Sequence, residues 1–84
     1  MNWFVYLAEG NDKSLYTGIT KDIKRRETEH NFDNIKGAKA LRAKRPVKIV
    51  YFEEHDTQSE AVKREKEIKG WRREKKIHLI NNKS

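Results

Sequence analysis

The chain has 84 residues, 35% hydrophobic and 10% aromatic, which implies one domain (1–84, core about 3–80) with one small core and no room for a second. With no cysteine, a disulfide framework and a thiolate zinc site are excluded; with three widely spaced histidines a structural metal site is not expected, and no apolar run approaches the roughly 18 residues that span a bilayer. Twenty Lys and Arg against thirteen Asp and Glu give +7, which favours a polyanionic partner such as nucleic acid, the bland alternative being a well-solvated basic surface.

The opening "NWFVYLAEGNDKSLYTGIT" has two β-prone runs flanking Gly10, Asn11 and Asp12, the signature of a hairpin. If Glu9 faces Lys13, then Leu7 faces Leu15 and Tyr6 faces Tyr16. Both tyrosines then share one face, and alternation puts Gly18 there too, leaving an open spot beside the Tyr16 ring. Tyrosines paired in this way are most often simple packing partners. The start "MNWFVYLAEG" also lacks the basic segment and small-residue cleavage site of a signal peptide, so a soluble, cytoplasmic, monomeric protein with no membrane partner is expected.

Asp22 can cap a helix starting near Ile23 and running about three turns, until Asp33, Asn34 and Gly37 signal its end. Ile23, Arg26, Glu27 and His30 then share one face. From Lys36 to Lys48 the chain carries Lys36, Lys39, Arg42, Lys44, Arg45 and Lys48 with no acid, and a short helical piece is expected around Ala38 to Ala43. Pro46 pushes Arg45 into an extended conformation and introduces the third strand, "VKIVYFEE", whose apolar groups on both faces suggest a central place in the sheet.

Thr57 and Glu60 stand at capping-box spacing before a helix that Gly70 can end. Its apolar stripe is Ala61, Val62 and Ile68, and Glu65 falls within that stripe. A buried, unpaired carboxylate has a prohibitive desolvation cost, so an inward Glu65 requires a cation, a positive partner or water, whereas an outward one could pair with Arg64 or Lys69. The last helix, "RREKKIHLI", offers Ile77 and Ile80 to the core, with Trp71 packing at the joint. The fold class is α+β, a three-stranded, mainly antiparallel sheet flanked by helices in the order β-β-α-(α)-β-α-α.

One by one these residues are weak evidence; their order is stronger. Tyr6 in "VYL", "YTG" at 16 to 18, Arg26 in "DIKRR", His30, and Glu65 in "SEAVKREKEIK" resemble the GIY-YIG nuclease superfamily, most closely its small stand-alone bacterial members. The resemblance runs from Phe4 to about Ile80. "GAKALRAKRPVKIVY" and "EKEIKGWRREKKIHLI" resemble segments of those small proteins. Val5 and Leu7 stand where the family name has Gly and Ile, and Thr17 replaces the Ile of YIG on the opposite face of its strand. Ala40 and Leu41 replace the Tyr-Thr of a common "GAKYTR", so this segment lacks that aromatic ring and that hydroxyl.

The resemblance implies a metal-dependent endonuclease that hydrolyses DNA phosphodiester bonds. Glu65 would bind one Mg²⁺ (or Mn²⁺), which takes one or two carboxylates and keeps several waters. Arg26 would hold the scissile phosphate through its planar fork. Tyr6 would take a proton from the attacking water and Tyr16 would position water or phosphate. His30, with a reference pKa of about 6.5, is an alternative proton relay. Lys36, Lys39, Arg42, Lys44 and Arg45 would bind backbone phosphates, which position nucleic acid without reading bases. With no recognition helix or second domain, low sequence specificity or a structure preference is expected, with targeting by a protein partner and a role in DNA repair or recombination. The alternative is a nucleic-acid-binding module with little or no catalysis of its own, acting within a larger complex.

Overall fold

The computed structural model describes residues 2–82. Strands β1 (Trp3–Glu9) and β2 (Leu15–Thr20) lead into helix α1 (Ile23–Phe32) and a short 3-10 helix (Lys39–Lys44). Strand β3 (Lys48–His55) and helices α2 (Gln58–Lys69) and α3 (Arg73–Asn81) follow. The three strands form one antiparallel sheet in the order β2-β1-β3, flanked by the helices, so the expected α+β class and element order are observed.

The central strand is β1, not β3 as its sequence suggested. Val5, Tyr6, Leu7 and Ala8 are all buried, as they must be in a strand covered on both faces. Val5 and Leu7 point to α2 and α3, joining Ala61, Ile68 and Tyr51, with Trp71, Leu79 and Ile80 packed around them. Tyr6 and Ala8 point the other way, toward Leu41, Val47, Ile23 and Ala38. Edge strand β3 has apolar groups on both faces because of a bulge: Leu7 pairs with Tyr51 but Ala8 with Ile49, so Val50 is the extra residue and residues 49 and 51 serve opposite sides. Among the other residues expected in the core, Ile80 and Trp71 pack there, while Ile77 is half-buried.

The hairpin register differs by two residues from the expected one. Glu9 pairs with Leu15, Ala8 with Tyr16 and Tyr6 with Gly18. The reason lies in the loop, which holds all of residues 10–14. The Gly10 N–H donates to the Ser14 carbonyl and Lys13 takes a left-handed φ of 71°. The Asp12 carboxylate accepts from both the Ser14 N–H and its hydroxyl, which lowers the Asp12 pKa to about 2. A shift of two preserves the facing of every side chain, so Tyr6, Tyr16 and Gly18 still share one face.

Asp22 caps α1 by accepting the Arg25 N–H, and Thr57 caps α2 by accepting that of Glu60, as expected. Two α1 side chains one turn apart then bind the backbone at β3: Glu27 accepts the Ile49 N–H at 2.6 Å, and Asn31 exchanges bonds with both the N–H and the carbonyl of Val47. These bonds cover groups that an edge strand would otherwise leave open, and they set α1 against the Tyr6 face. Among the described residues no helix is long and apolar enough to cross a membrane.

Candidate active site

Tyr6 is 1% exposed, and its phenol reaches across β2 because residue 18 is glycine. A β-carbon on Gly18 would lie 2.5 Å from the Tyr6 oxygen and 2.7 Å from Cζ. The open spot at Gly18 thus belongs to the Tyr6 ring, not to Tyr16 as the other register implied. Tyr16 lies alongside, its ring centre 6.4 Å from that of Tyr6 and 5.6 Å from His30.

Helix α1 brings two nitrogens to the Tyr6 oxygen. His30 Nε2 is 2.7 Å away and Arg26 Nε donates at 3.4 Å. The two residues are four apart and therefore adjacent on the helix. His30 is fully buried, and its Nδ1 accepts the Ala38 N–H at 3.3 Å. A neutral ring whose Nδ1 accepts must carry its proton on Nε2, so His30 donates to Tyr6. The phenol oxygen therefore receives two N–H donors, and its own proton points away from both.

Burial is the main cause of an upward shift that takes the Tyr6 pKa to about 12; the Arg26 bond and charge pull down, while Tyr16 and Glu65 add to the rise. For His30 the same burial, with the Arg26 charge, drives the pKa down to about 4. At neutral pH the ring is uncharged, with Nδ1 facing the Ala38 N–H and Nε2 facing the Tyr6 oxygen.

Arg26 is held as firmly as it holds. Its Nη1 donates to Glu29 at 3.0 Å and to the Lys36 carbonyl at 2.6 Å, leaving Nη2 without a protein partner among the described residues. Glu65 comes from α2, between the buried Ala61 and Ile68, and is bonded to none of the other four residues. Its side chain is 17% exposed and pairs with Lys69 at 3.4 Å; its link to the site is the charge felt by Tyr6. Among the described residues no three His, Asp or Glu side chains form a metal cage. One partly exposed carboxylate suits Mg²⁺ completed by water and substrate oxygens, not a preformed all-protein site.

The basic run divides by geometry. Arg45 donates to the His30 carbonyl at 2.7 Å, to the Asn34 side chain and to the Asp33 carbonyl, while Arg42 donates to the Asn34 carbonyl. Lys44 binds Ser14 and Asp12 across the hairpin loop. These three cations tie the fold together. Lys36 and Lys39 have no side-chain hydrogen bond or ion pair among the described residues. Sequence reasoning missed Glu29, the Lys36 carbonyl and the Ala38 N–H, all of which orient the site. Only Glu29, three residues beyond Arg26, left a readable signal; the other two are backbone groups.

A family model described as the GIY-YIG catalytic domain matches residues 2–78. A UPF0213 protein of Staphylococcus epidermidis is 51% identical over 77 residues, covering 92% of each chain. One from Haloquadratum walsbyi is 51% identical over 76 residues, 90% of this chain and 83% of its own. The solution NMR structure of a UPF0213 protein from Bacillus halodurans is 38% identical, covers 99% of this chain and 86% of that one, and superposes with a TM-score of 0.62. With the matched model spanning both triplet strands, α1 and α2, the chain belongs to the GIY-YIG family, among its small UPF0213 proteins.

Proposed function

We propose that this protein is a metal-dependent endonuclease that hydrolyses DNA phosphodiester bonds with low sequence specificity or a structure preference, in DNA repair or recombination. The observation that carries the reading is the double donation from Arg26 and His30 to the buried Tyr6 oxygen. Two fixed N–H groups aimed at one phenol oxygen favour its phenolate, the form that can accept a proton from water. In the free protein burial wins and Tyr6 stays protonated at neutral pH. The Glu65 charge opposes ionisation, so a cation on Glu65 shifts the balance toward phenolate.

Arg26 presents its free Nη2 to a phosphoryl oxygen while Glu29 and the Lys36 carbonyl keep the guanidinium from swinging away. Tyr16 closes the other side of the Tyr6 ring and orders water beside it. Mg²⁺ or Mn²⁺ bound at Glu65 would supply Lewis-acid stabilisation of the leaving oxygen. Lys36 and Lys39, without a side-chain partner among the described residues, attract backbone phosphates. A partner protein supplies the targeting.

The test is a cleavage screen over branched, flapped, nicked and linear DNA with Mg²⁺ or Mn²⁺. Tyr6→Phe and Arg26→Ala should each lower the rate by about 10²-fold or more, and Glu65→Ala should abolish metal-dependent cleavage while binding persists. Absence of cleavage by the wild type on every substrate refutes the enzyme. Salt-dependent binding without cleavage would then establish the second reading, a nucleic-acid-binding module, which one observation favours: Glu65 is already paired with Lys69.

A further inference from the structure

Helix α1 ends on a large apolar side chain left in water. Phe32 is 81% exposed, and Ile35, three residues on, is 92% exposed. Single exposed apolar residues are ordinary, but these two line one open groove of about 450 Å³ together with Arg25, Thr28 and Glu29. Arg25, Thr28, Glu29 and Phe32 recur at helical spacing along one stripe of α1, and Ile35 closes its end.

The groove is continuous with the candidate active site. Glu29 is shared, bonded by Arg26 at 3.0 Å and approached by Arg25 at 3.7 Å. The loop that carries Ile35 is the one whose Lys36 carbonyl holds Arg26 and whose Ala38 N–H holds His30. It is tightly tied. Asp33 accepts the N–H groups of Ile35 and Lys36, and Arg45 and Arg42 bind Asp33 and Asn34. A β-carbon on Gly37 would lie 2.4 Å from the Glu29 carbonyl, so α1 and the loop touch there at backbone distance. Ile35 is thus held outward by its backbone rather than left there by a loose loop.

We infer that this groove receives an unstacked base of the nucleic-acid strand whose phosphate Arg26 holds, with Phe32 stacking on the base and Ile35 filling the gap it leaves. The inference rests on the nuclease reading and names its substrate class: strands with an unpaired or easily unstacked nucleotide beside the reacting phosphate. Charge at the groove suits a strand: the Arg25 side chain, 67% exposed, lies in its lining and can meet the backbone phosphate, while Glu29 is neutralised by Arg25 and Arg26 and Asp33 is engaged by the Ile35 and Lys36 N–H groups, leaving the apolar pair to the base. An aromatic face accepts any base, so the site recognises exposure of a base and not its identity.

The experiment measures binding of the full chain to two labelled DNA duplexes, one fully paired and one with a single-nucleotide bulge of 2-aminopurine, in Ca²⁺ to prevent cleavage. Wild type should bind the bulged duplex about tenfold more tightly, within the range that base–aromatic stacking supplies. The 2-aminopurine fluorescence should report the base leaving the duplex stack. Phe32→Ala should bring the affinity ratio close to one, and Phe32→Trp should restore it. Equal loss on both duplexes, or an unchanged ratio, overturns the inference. So does a concentration-dependent dimer that Phe32→Ala abolishes, since the groove would then face a second copy. Phe32→Ala leaving the ratio intact while Arg26→Ala abolishes cleavage separates failure of this site from failure of the nuclease reading.

Discussion

Acidification should destabilise the protein between pH 6.5 and about 4 through one imidazole. His30 is fully buried, its Nδ1 faces the Ala38 N–H, and the Arg26 guanidinium stands beside it. Protonating Nδ1 would set two donors against each other in a site already next to a cation. The ring's pKa accordingly falls from 6.5 to about 4, a preference for the neutral form of about 3 kcal/mol. Because the folded value is the depressed one, this stability is fully present above pH 6.5 and is lost as pH falls through about 4, where the unfolded chain binds the proton first. Urea unfolding of wild type and His30→Gln at pH 7, 6, 5 and 4 gives the comparison, since the carboxylates titrate alike in both. Wild type should lose about 3 kcal/mol more than the variant across that window. The ring's own NMR titration supplies the midpoint. A midpoint near 6.5, or equal pH slopes for the two proteins, would show that His30 is not the buried donor to Tyr6.

Gly18→Ala should destabilise by about 1–3 kcal/mol in urea unfolding, because the new methyl meets the Tyr6 phenol and the ring must leave its two donors. A variant as stable as wild type would show that the ring does not lie over residue 18. Arg45→Ala should cost about 2 kcal/mol by the same measurement, since its guanidinium binds the carbonyls of His30 and Asp33 at the end of α1. A change below about 0.5 kcal/mol would make Arg45 a solvated cation free for nucleic acid. At the alkaline end Tyr6 and Tyr51 both have pKa values raised to about 12, chiefly by burial. Stability present below pH 10 should therefore be lost as pH rises toward 12, with the phenolate absorbance of Tyr6 and Tyr51 appearing only in that range. Absorbance lost near pH 10 on Tyr6→Phe or Tyr51→Phe would contradict this.

The sequence by itself determined the local devices and the ordered set of site residues. Asp22, Thr57 and Gly70 mark helix ends through bonds within a few residues, so they were legible. The parity of Tyr6, Tyr16 and Gly18 was legible because it survives any shift of register by two. Tertiary structure decided the rest. Register depended on a loop closed by Asp12 and Ser14, and the two-faced apolar pattern of edge strand β3 came from a bulge at Val50, neither of which leaves a periodic signal. The roles of Arg42, Lys44 and Arg45 turned on carbonyls and side chains distant in sequence. Most of all, a histidine with an ordinary pKa on paper is held neutral by burial and the Arg26 charge, and one backbone N–H, at Ala38, decides which of its nitrogens carries the proton. Proton placement follows from who the neighbours are, and only the folded chain chooses them.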